Sequence, residues 1–468
     1  MNASALHPSI LRAYDIRGIC DETLSPADAT AIGRAFAACL ASKSLGNKVV
    51  VGRDGRLSSP QLSAALIDGL VDGGAKVTDI GCGPTPMLYF AAAHLDADGA
   101  IQVTGSHNPP THNGFKMVMG GKSFFGTEIT ELGASCAAGV PSQSGGSCET
   151  QSVFIEYVTR LLQSADAGDL SVVWDCGNGA SGEVTDALTR QLSGTHHVLF
   201  SEIDGTFPNH HPNPVDPETL DMLRDAVTEH NADLGIGFDG DGDRIGLIDA
   251  KGRQVPGDLL TAYLAMDIAP KYQNRPMLLD VKSSDMAMSL IAAAGADAQI
   301  WKTGHSHMKK RMAELDVPLA GEMSGHIFIK DDYYGFDDAI YVALRVLGQM
   351  HRTGQSITAF MDSLPPQFAT PELRIECDDS KKFAAMDALA SFASTRFGTT
   401  RFNNDDMSNI SLVDGVRVRS DSGWWLVRAS NTEAALVARA EGTSQTALDS
   451  LIADLRETLD QANLTVKI

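Results

Sequence analysis

A weak three-fold repetition constrains this chain more than any other feature. Short β-rich runs occur at Val49-Val50-Val51, Val172-Val173-Trp174 and Met277-Leu278-Leu279. Each opens into a polar loop: Gly52-Arg53-Asp54-Gly55-Arg56, Asp175-Cys176-Gly177-Asn178-Gly179 and Asp280-Val281-Lys282-Ser283-Ser284. Helix-like segments follow at 60–69, 183–192 and 286–294, second strands at 75–80, 197–200 and 298–301, and third strands at 100–103, 234–237 and 317–320. Strands alternating with helices imply right-handed crossovers and mixed, mainly parallel sheets. Three such rounds imply three related α/β domains.

The last hundred or so residues differ. Leu364-Pro365-Pro366 and Thr370-Pro371 mark a linker. Beyond it, short strands at 373–376, 416–419, 424–428 and 435–439 precede an amphipathic helix at 444–461. This pattern implies a C-terminal α+β domain with an antiparallel sheet and helices on one side. At about 150 residues per domain, 468 residues suggest roughly three domains; the repeat refines that to four. The division is 1–152, 153–256, 257–367 and 368–468.

Hydrophobic residues at 43% and charged residues at 21% exclude a disordered chain. A formal net charge of -22 argues against nucleic acid or an anionic membrane as partner, though a few arginines in one cleft could still hold a small anion. The seven cysteines are scattered and form no Cys-x-x-Cys pair, as in a reduced, cytoplasmic protein. The N-terminus shows no signal peptide, and apolar runs stop short of the ~20 residues a membrane span needs.

The third strands end in three loops of chemical interest: Thr104-Gly105-Ser106-His107-Asn108-Pro109, Asp239-Gly240-Asp241-Gly242-Asp243-Arg244 and Gly321-Glu322-Met323-Ser324-Gly325-His326. Ligands in open parallel sheets sit beyond the carboxyl ends of strands, so the three loops are expected to share one cleft. Asp239, Asp241 and Asp243 alternate along the chain and project together when extended. Glycines between them let the backbone wrap a cation, and hard carboxylate oxygens suit magnesium. An EF-hand is excluded, because Arg244 and Ala250 stand where Gly and Glu should be.

Ser106 lies in no Gly-x-Ser-x-Gly elbow. Beside a magnesium loop it becomes a candidate phosphoryl carrier, with the metal also touching its phosphate. His107 is its neighbour, and adjacent side chains are expected to point apart. Arg17, Lys116, Arg244, Lys282 and His305 lie in Gly-flanked or polar loops suited to phosphate contact. The segment Arg428-Ala429-Ser430-Asn431-Thr432 offers a guanidinium, hydroxyls and an amide to a phosphate dianion, and reads equally well as a hydrogen-bonded β-turn. A Walker A loop and a dinucleotide fingerprint are absent, and His210-His211 and His305-Ser306-His307 are weak metal candidates.

Together, Tyr14-Asp15-Ile16-Arg17-Gly18 and the Ser106, Asp239–Arg244, Glu322–His326 and Arg428–Glu433 loops resemble the α-D-phosphohexomutase family, in its bacterial phosphomannomutase/phosphoglucomutase group. The resemblance spans nearly the whole chain. It implies a phosphoserine at Ser106 and magnesium held by Ser106, Asp239, Asp241 and Asp243. It implies Glu322 and Ser324 on sugar hydroxyls, with Arg428, Ser430, Asn431 and Thr432 on the unreacting phosphate. Lys116 and Arg17 would serve acid/base and charge roles, with His107 and Arg244 beside them; His305, His326, Tyr14 and Lys282 would line the sugar cleft. The implied reaction interconverts hexose 1- and 6-phosphates of glucose or mannose through a 1,6-bisphosphate, with glucose 1,6-bisphosphate as activator. The expected protein is a monomer. Glu433 is followed by Ala434 where the family commonly has Pro, and Met323 favours glucose and mannose over amino sugars. Alternatives are a phosphoglucosamine mutase, a silent sugar-phosphate sensor and a magnesium phosphatase.

Overall fold

The β-branched run Val49-Val50-Val51 forms the centre of the strand Lys48–Arg53, buried on both faces as a strand between two layers must be. The computed structural model that shows this describes residues 5–378, 381–398, 409–430, 434–462 and 464. Lys48–Arg53 pairs in parallel with Lys76–Cys82 and Gly99–Val103, and Gly99–Val103 returns antiparallel into His112–Met119. Ser171–Asp175 pairs in the same way with Thr195–Leu199 and Leu234–Phe238, and Leu234–Phe238 returns into Ile245–Asp249. Pro276–Asp280 repeats the arrangement with Asp297–Trp301 and Leu319–Gly321, which returns into Ile327–Ile329. Topology therefore carries the repeat that the residues only hinted at.

The antiparallel returns were not legible beforehand, and they define the form of the three loops. A parallel crossover needs a dozen or more residues. The links 104–111, 239–244 and 322–326 are too short for one, so each loop is the turn of a β-hairpin. All three turns lie at the carboxyl ends of their parallel strands, as expected.

Helices follow the pattern with local adjustments. Pro26–Ser42 starts in a capping box in which Ser25 and Asp28 satisfy each other's backbone N–H groups. The helix expected at 183–192 ends at Thr189. Thr85–His94 and Ala339–Thr353 are buried over most of their length. They belong to a single apolar core that runs from Leu88 and Phe90 through Tyr157, Trp174 and Leu234 to Leu260, Ile340 and Leu344. This continuous core fixes the first three units relative to one another.

The C-terminal unit is a six-stranded sheet, antiparallel at every pairing, as expected. The helix Lys382–Phe397, not anticipated, joins Gln445–Asp460 in a separate core with Trp425, Leu436 and Leu451. This unit meets the third through Val281, Trp424 and Leu426, while Arg417 donates to the carbonyls of Val281 and Ser283. Among the described residues no helix is long and apolar enough to cross a membrane.

Candidate active site

The turn after Gly99–Val103 is held by a buried Asp54–Arg56 pair. Asp54 accepts from Thr104 Oγ1 at 2.8 Å and from the Gly105 N–H at 3.1 Å. Arg56 donates to the carbonyls of Ser106, Asn108 and Pro109, each at 2.6 Å, and to that of His112 at 3.0 Å. A guanidinium with five fixed donors suits such a ring of carbonyls. Gripped this way, Ser106 adopts a left-handed φ of 50°, uncommon for a residue other than glycine. Its Oγ donates to Asp239 Oδ2 at 2.9 Å and lies 3.1 Å from His107 Nδ1. The expectation that Ser106 and His107 point apart is thus overturned, because it assumed an extended chain and the left-handed turn folds the pair together.

Asp239, Asp241 and Asp243 are fully buried and each brings a carboxylate oxygen within 4.8 Å of the others. Backbone N–H groups of Asp243 and Arg244 both donate to Asp239 Oδ1 at 3.1 Å. Lys116 donates to Asp241 at 2.7 Å and contacts Asp243, and Thr85 also donates to Asp241. Burial, reinforced by the neighbouring carboxylates, raises the Asp239 and Asp243 carboxyls. Burial acts on Asp241 too, but Lys116 outweighs it and holds that carboxyl below its usual range. On Lys116, burial opposes the charge, yet Asp241 and Asp243 win and raise the ammonium. Among the described residues, Asp241 Oδ1 and Asp243 Oδ1 are buried acceptors with no hydrogen-bond donor. Buried acceptors left without donors are rare, and a hard divalent cation fits this set.

Around this centre lie the other expected residues. Arg17 donates to Asn108 at 2.7 Å and pairs with Asp15. Burial, then the positive charge of Arg244, pulls His107 well below the ordinary imidazole range, and burial does the same to His305. Arg244 Nε donates to His326 Nε2 at 3.0 Å. Glu322 accepts from the Gly304 N–H at 2.8 Å and from Ser324 Oγ at 2.9 Å, and burial raises its carboxyl. Tyr14 donates to the Thr303 carbonyl at 2.7 Å and its ring packs edge-on against His305.

Lys282 pairs with Glu372 at 2.9 Å, which ties the third unit to the fourth. Arg428 Nε donates to Asp414, which also accepts from the Thr303 N–H. Arg428 Nη2 is buried without an acceptor among the described residues. Ser430 is buried beside it, whereas Asn431 and Thr432 lie outside the described residues.

The five basic residues expected at phosphate contacts, Arg17, Lys116, Arg244, Lys282 and Arg428, are each engaged by a neighbouring side chain. Four of the five are paired with carboxylates, and Arg244 with a histidine, because burying an unpaired charge is costly. Sequence reasoning missed Asp54, Arg56, Thr85, Asp337 and Asp414. Only Asp54 and Arg56 left a signal, in their Gly-flanked loop after a strand. His210 pairs with Asp175 at 2.9 Å and takes no part in the acidic cluster.

Comparison with known proteins decides the family. Four family models described as phosphoglucomutase/phosphomannomutase α/β/α domains I, II and III and C-terminal domain match residues 8–138, 152–252, 256–368 and 372–458 in turn. The chain belongs to the phosphoglucomutase/phosphomannomutase family. A phosphomannomutase/phosphoglucomutase of Pseudomonas putida is 42% identical, over 96% of this chain and 95% of the relative. A crystal structure of a family member from Burkholderia thailandensis superposes with a TM-score of 0.91 at 37% identity, covering 99% of this chain and 100% of that one. The fold also matches, with a TM-score of 0.60 at 14% identity and over 97% and 96% of the two chains, an Aspergillus fumigatus N-acetylphosphoglucosamine mutase in complex with GlcNAc-6P and magnesium. As a phosphoglucomutase/phosphomannomutase family member, the protein is a hexose-phosphate mutase, an isomerase.

Proposed function

We propose that this mutase interconverts the 1- and 6-phosphates of glucose, mannose or both through a phosphoserine at Ser106 and a hexose 1,6-bisphosphate. The observation that carries this reading is Ser106 Oγ standing 2.9 Å from Asp239 Oδ2, in the cluster where Asp241 Oδ1 and Asp243 Oδ1 have no hydrogen-bond donor among the described residues. Asp239, Asp241 and Asp243 would hold magnesium with Ser106; when bound, the ion offsets charge on the phosphoryl oxygens. In the first half-reaction a sugar hydroxyl oxygen attacks phosphorus and the bond from phosphorus to Ser106 Oγ breaks. Net, the hydroxyl proton takes the phosphoryl group's place on Oγ. The second half-reaction is the reverse step at the other end of the bisphosphate.

Lys116, held by its carboxylates, Arg17 and Arg244 would supply positive charge to this transfer, and His107, with Nδ1 3.1 Å from Oγ, would exchange a proton with it. Glu322 and Ser324 would take the sugar hydroxyls, between Tyr14, Lys282, His305 and His326. Arg428 and Ser430, with Asn431 and Thr432, would hold the unreacting phosphate; Arg428 Nη2, a buried donor without an acceptor among the described residues, supports this. Glucose 1,6-bisphosphate would prime Ser106. A cytoplasmic monomer divided at 152/153, 256/257 and 367/368 completes the reading.

A coupled assay tests it. Purified protein with magnesium and glucose 1,6-bisphosphate should convert glucose 1-phosphate or mannose 1-phosphate to the 6-phosphate without releasing phosphate. No turnover would contradict the reading, stoichiometric free phosphate would indicate a phosphatase, and faster turnover of glucosamine phosphate would indicate the amino-sugar branch.

A further inference from the structure

Asp337 is fully buried behind the cleft, at an isolated bridge to Phe328 that places it beside the hairpin carrying His326. Its two carboxylate oxygens serve different partners. Oδ1 accepts from Lys309 Nζ at 2.9 Å, and Oδ2 lies 3.0 Å from His326 Nδ1. Lys309 in turn sits 4.3 Å over the Tyr89 ring and 3.3 Å from its hydroxyl, which ties the third unit to the first.

The chemistry of the neighbours dictates the state of His326. Its Nε2 faces Arg244 Nε at 3.0 Å, and a guanidinium nitrogen can only donate. Nε2 must therefore carry the lone pair, and the ring proton belongs on Nδ1, whose nearest carboxylate oxygen is Asp337 Oδ2 at 3.0 Å, off the line of an ideal hydrogen bond. The other carboxylate nearby, Asp243 Oδ1, is more distant from Nδ1 at 3.7 Å. His305 and Phe328 flank the ring with centroids at 5.5 Å and 6.2 Å, which limits its rotation.

We propose that Asp337 is a positioning residue for the mutase reaction. It fixes the Nδ1–H tautomer and the plane of His326, and through the Nε2 lone pair it aims the Arg244 guanidinium. The inference rests on the cleft assignment above, since His326 and Arg244 matter only if the sugar phosphate binds there. An Asn at 337 keeps the shape but can offer its N–H₂ to Nδ1. That favours the opposite tautomer, whose Nε2–H would oppose the Arg244 N–H, donor against donor. An isosteric Asp→Asn change behind a histidine can therefore cost much activity while leaving the fold intact.

The test combines kinetics with a spectrum. Asp337→Asn should lower kcat about ten-fold or more with KM changed less than about three-fold. In a His326→Ala background the same change should have no further effect, and Asp337→Glu should recover part of the loss. Nitrogen-15 NMR of the wild-type imidazoles should show His326 protonated at Nδ1, and in Asp337→Asn the proton should move to Nε2. Unaltered kcat, an equal loss in the His326→Ala background, or a wild-type His326 protonated at Nε2 would overturn the proposal. The wild-type spectrum decides even if Asp337→Asn does not fold. It is also independent of turnover, so failure of the mutase assignment would be seen separately in the wild-type assay.

Discussion

Ser106 Oγ and Asp239 Oδ2 are joined by a hydrogen bond of 2.9 Å between residues 133 positions apart in the chain. One stands on the hairpin turn of the first unit and the other on the equivalent turn of the second. The repeat thus brings Ser106 and a carboxylate cluster together by stacking copies of one topology, with the shared core holding their separation. The turn carrying Glu322 occupies the same position in the third copy.

The two turns approach so closely that Gly240 has no room for a side chain. A Cβ there would lie 2.5 Å from the Ser106 carbonyl oxygen. Gly240→Ala should therefore push the two loops apart while leaving the sheets intact. Displacement of about 1 Å can cost about 100-fold in rate; kcat should fall by about that factor, and magnesium should be needed at higher concentration. Steady-state kinetics across a magnesium titration checks both effects.

Arg56 supports the Ser106 turn from behind, through the carbonyls of Ser106, Asn108, Pro109 and His112. Arg56→Met would leave those acceptors bare and Asp54 without its buried counter-charge. Breaking a buried pair from one side costs about 3–5 kcal/mol. Urea unfolding should show a loss of that order, and kcat should drop more than KM rises.

These two cases show how much of the protein was legible in its sequence. The Asp239–Asp243 and Ser106 loops were readable because their chemistry is contiguous, and the strands 48–53, 171–175 and 276–280 because β-branched and apolar runs mark them. The hairpin returns were not, since periodicity reveals a strand but not its partner. Arg56 was visible as a loop residue, but its targets are some fifty positions away. The same limit hid Asp337 and Asp414, ordinary acidic residues until the fold sets them against His326 and Arg428.

Arg428 is held by Asp414 through Nε, and its Nη2 remains a buried donor without an acceptor among the described residues. A lysine cannot reproduce both contacts. Arg428→Lys should raise KM for glucose 1-phosphate about ten-fold or more, the value of one charge-assisted hydrogen bond. The initial-rate dependence on substrate measures this, and an unchanged KM would remove Arg428 from the phosphate site.

Asp338 caps the helix Ala339–Thr353 and accepts from Tyr157 and Tyr333. Burial pushes its carboxyl up from 3.8 to about 6. A carboxyl raised in the folded state stabilises most below its unfolded pKa, and that contribution is lost as pH rises through about 6. Stability measured by urea unfolding should therefore fall from pH 4 to pH 7 by up to about 3 kcal/mol through this group. In Asp338→Asn that part of the slope should vanish, so the variant gains on the wild type as pH rises.

The most direct test is intact-mass measurement of wild-type protein and Ser106→Ala after incubation with magnesium and glucose 1,6-bisphosphate, alongside turnover. The wild type should gain one phosphoryl group, mapped to Ser106, and lose it to added glucose 1-phosphate. Ser106→Ala should gain none and show no isomerisation, yet still bind sugar phosphate. A Ser106→Ala protein that isomerises at the wild-type rate, or a phosphoryl group carried on another residue, would contradict the account.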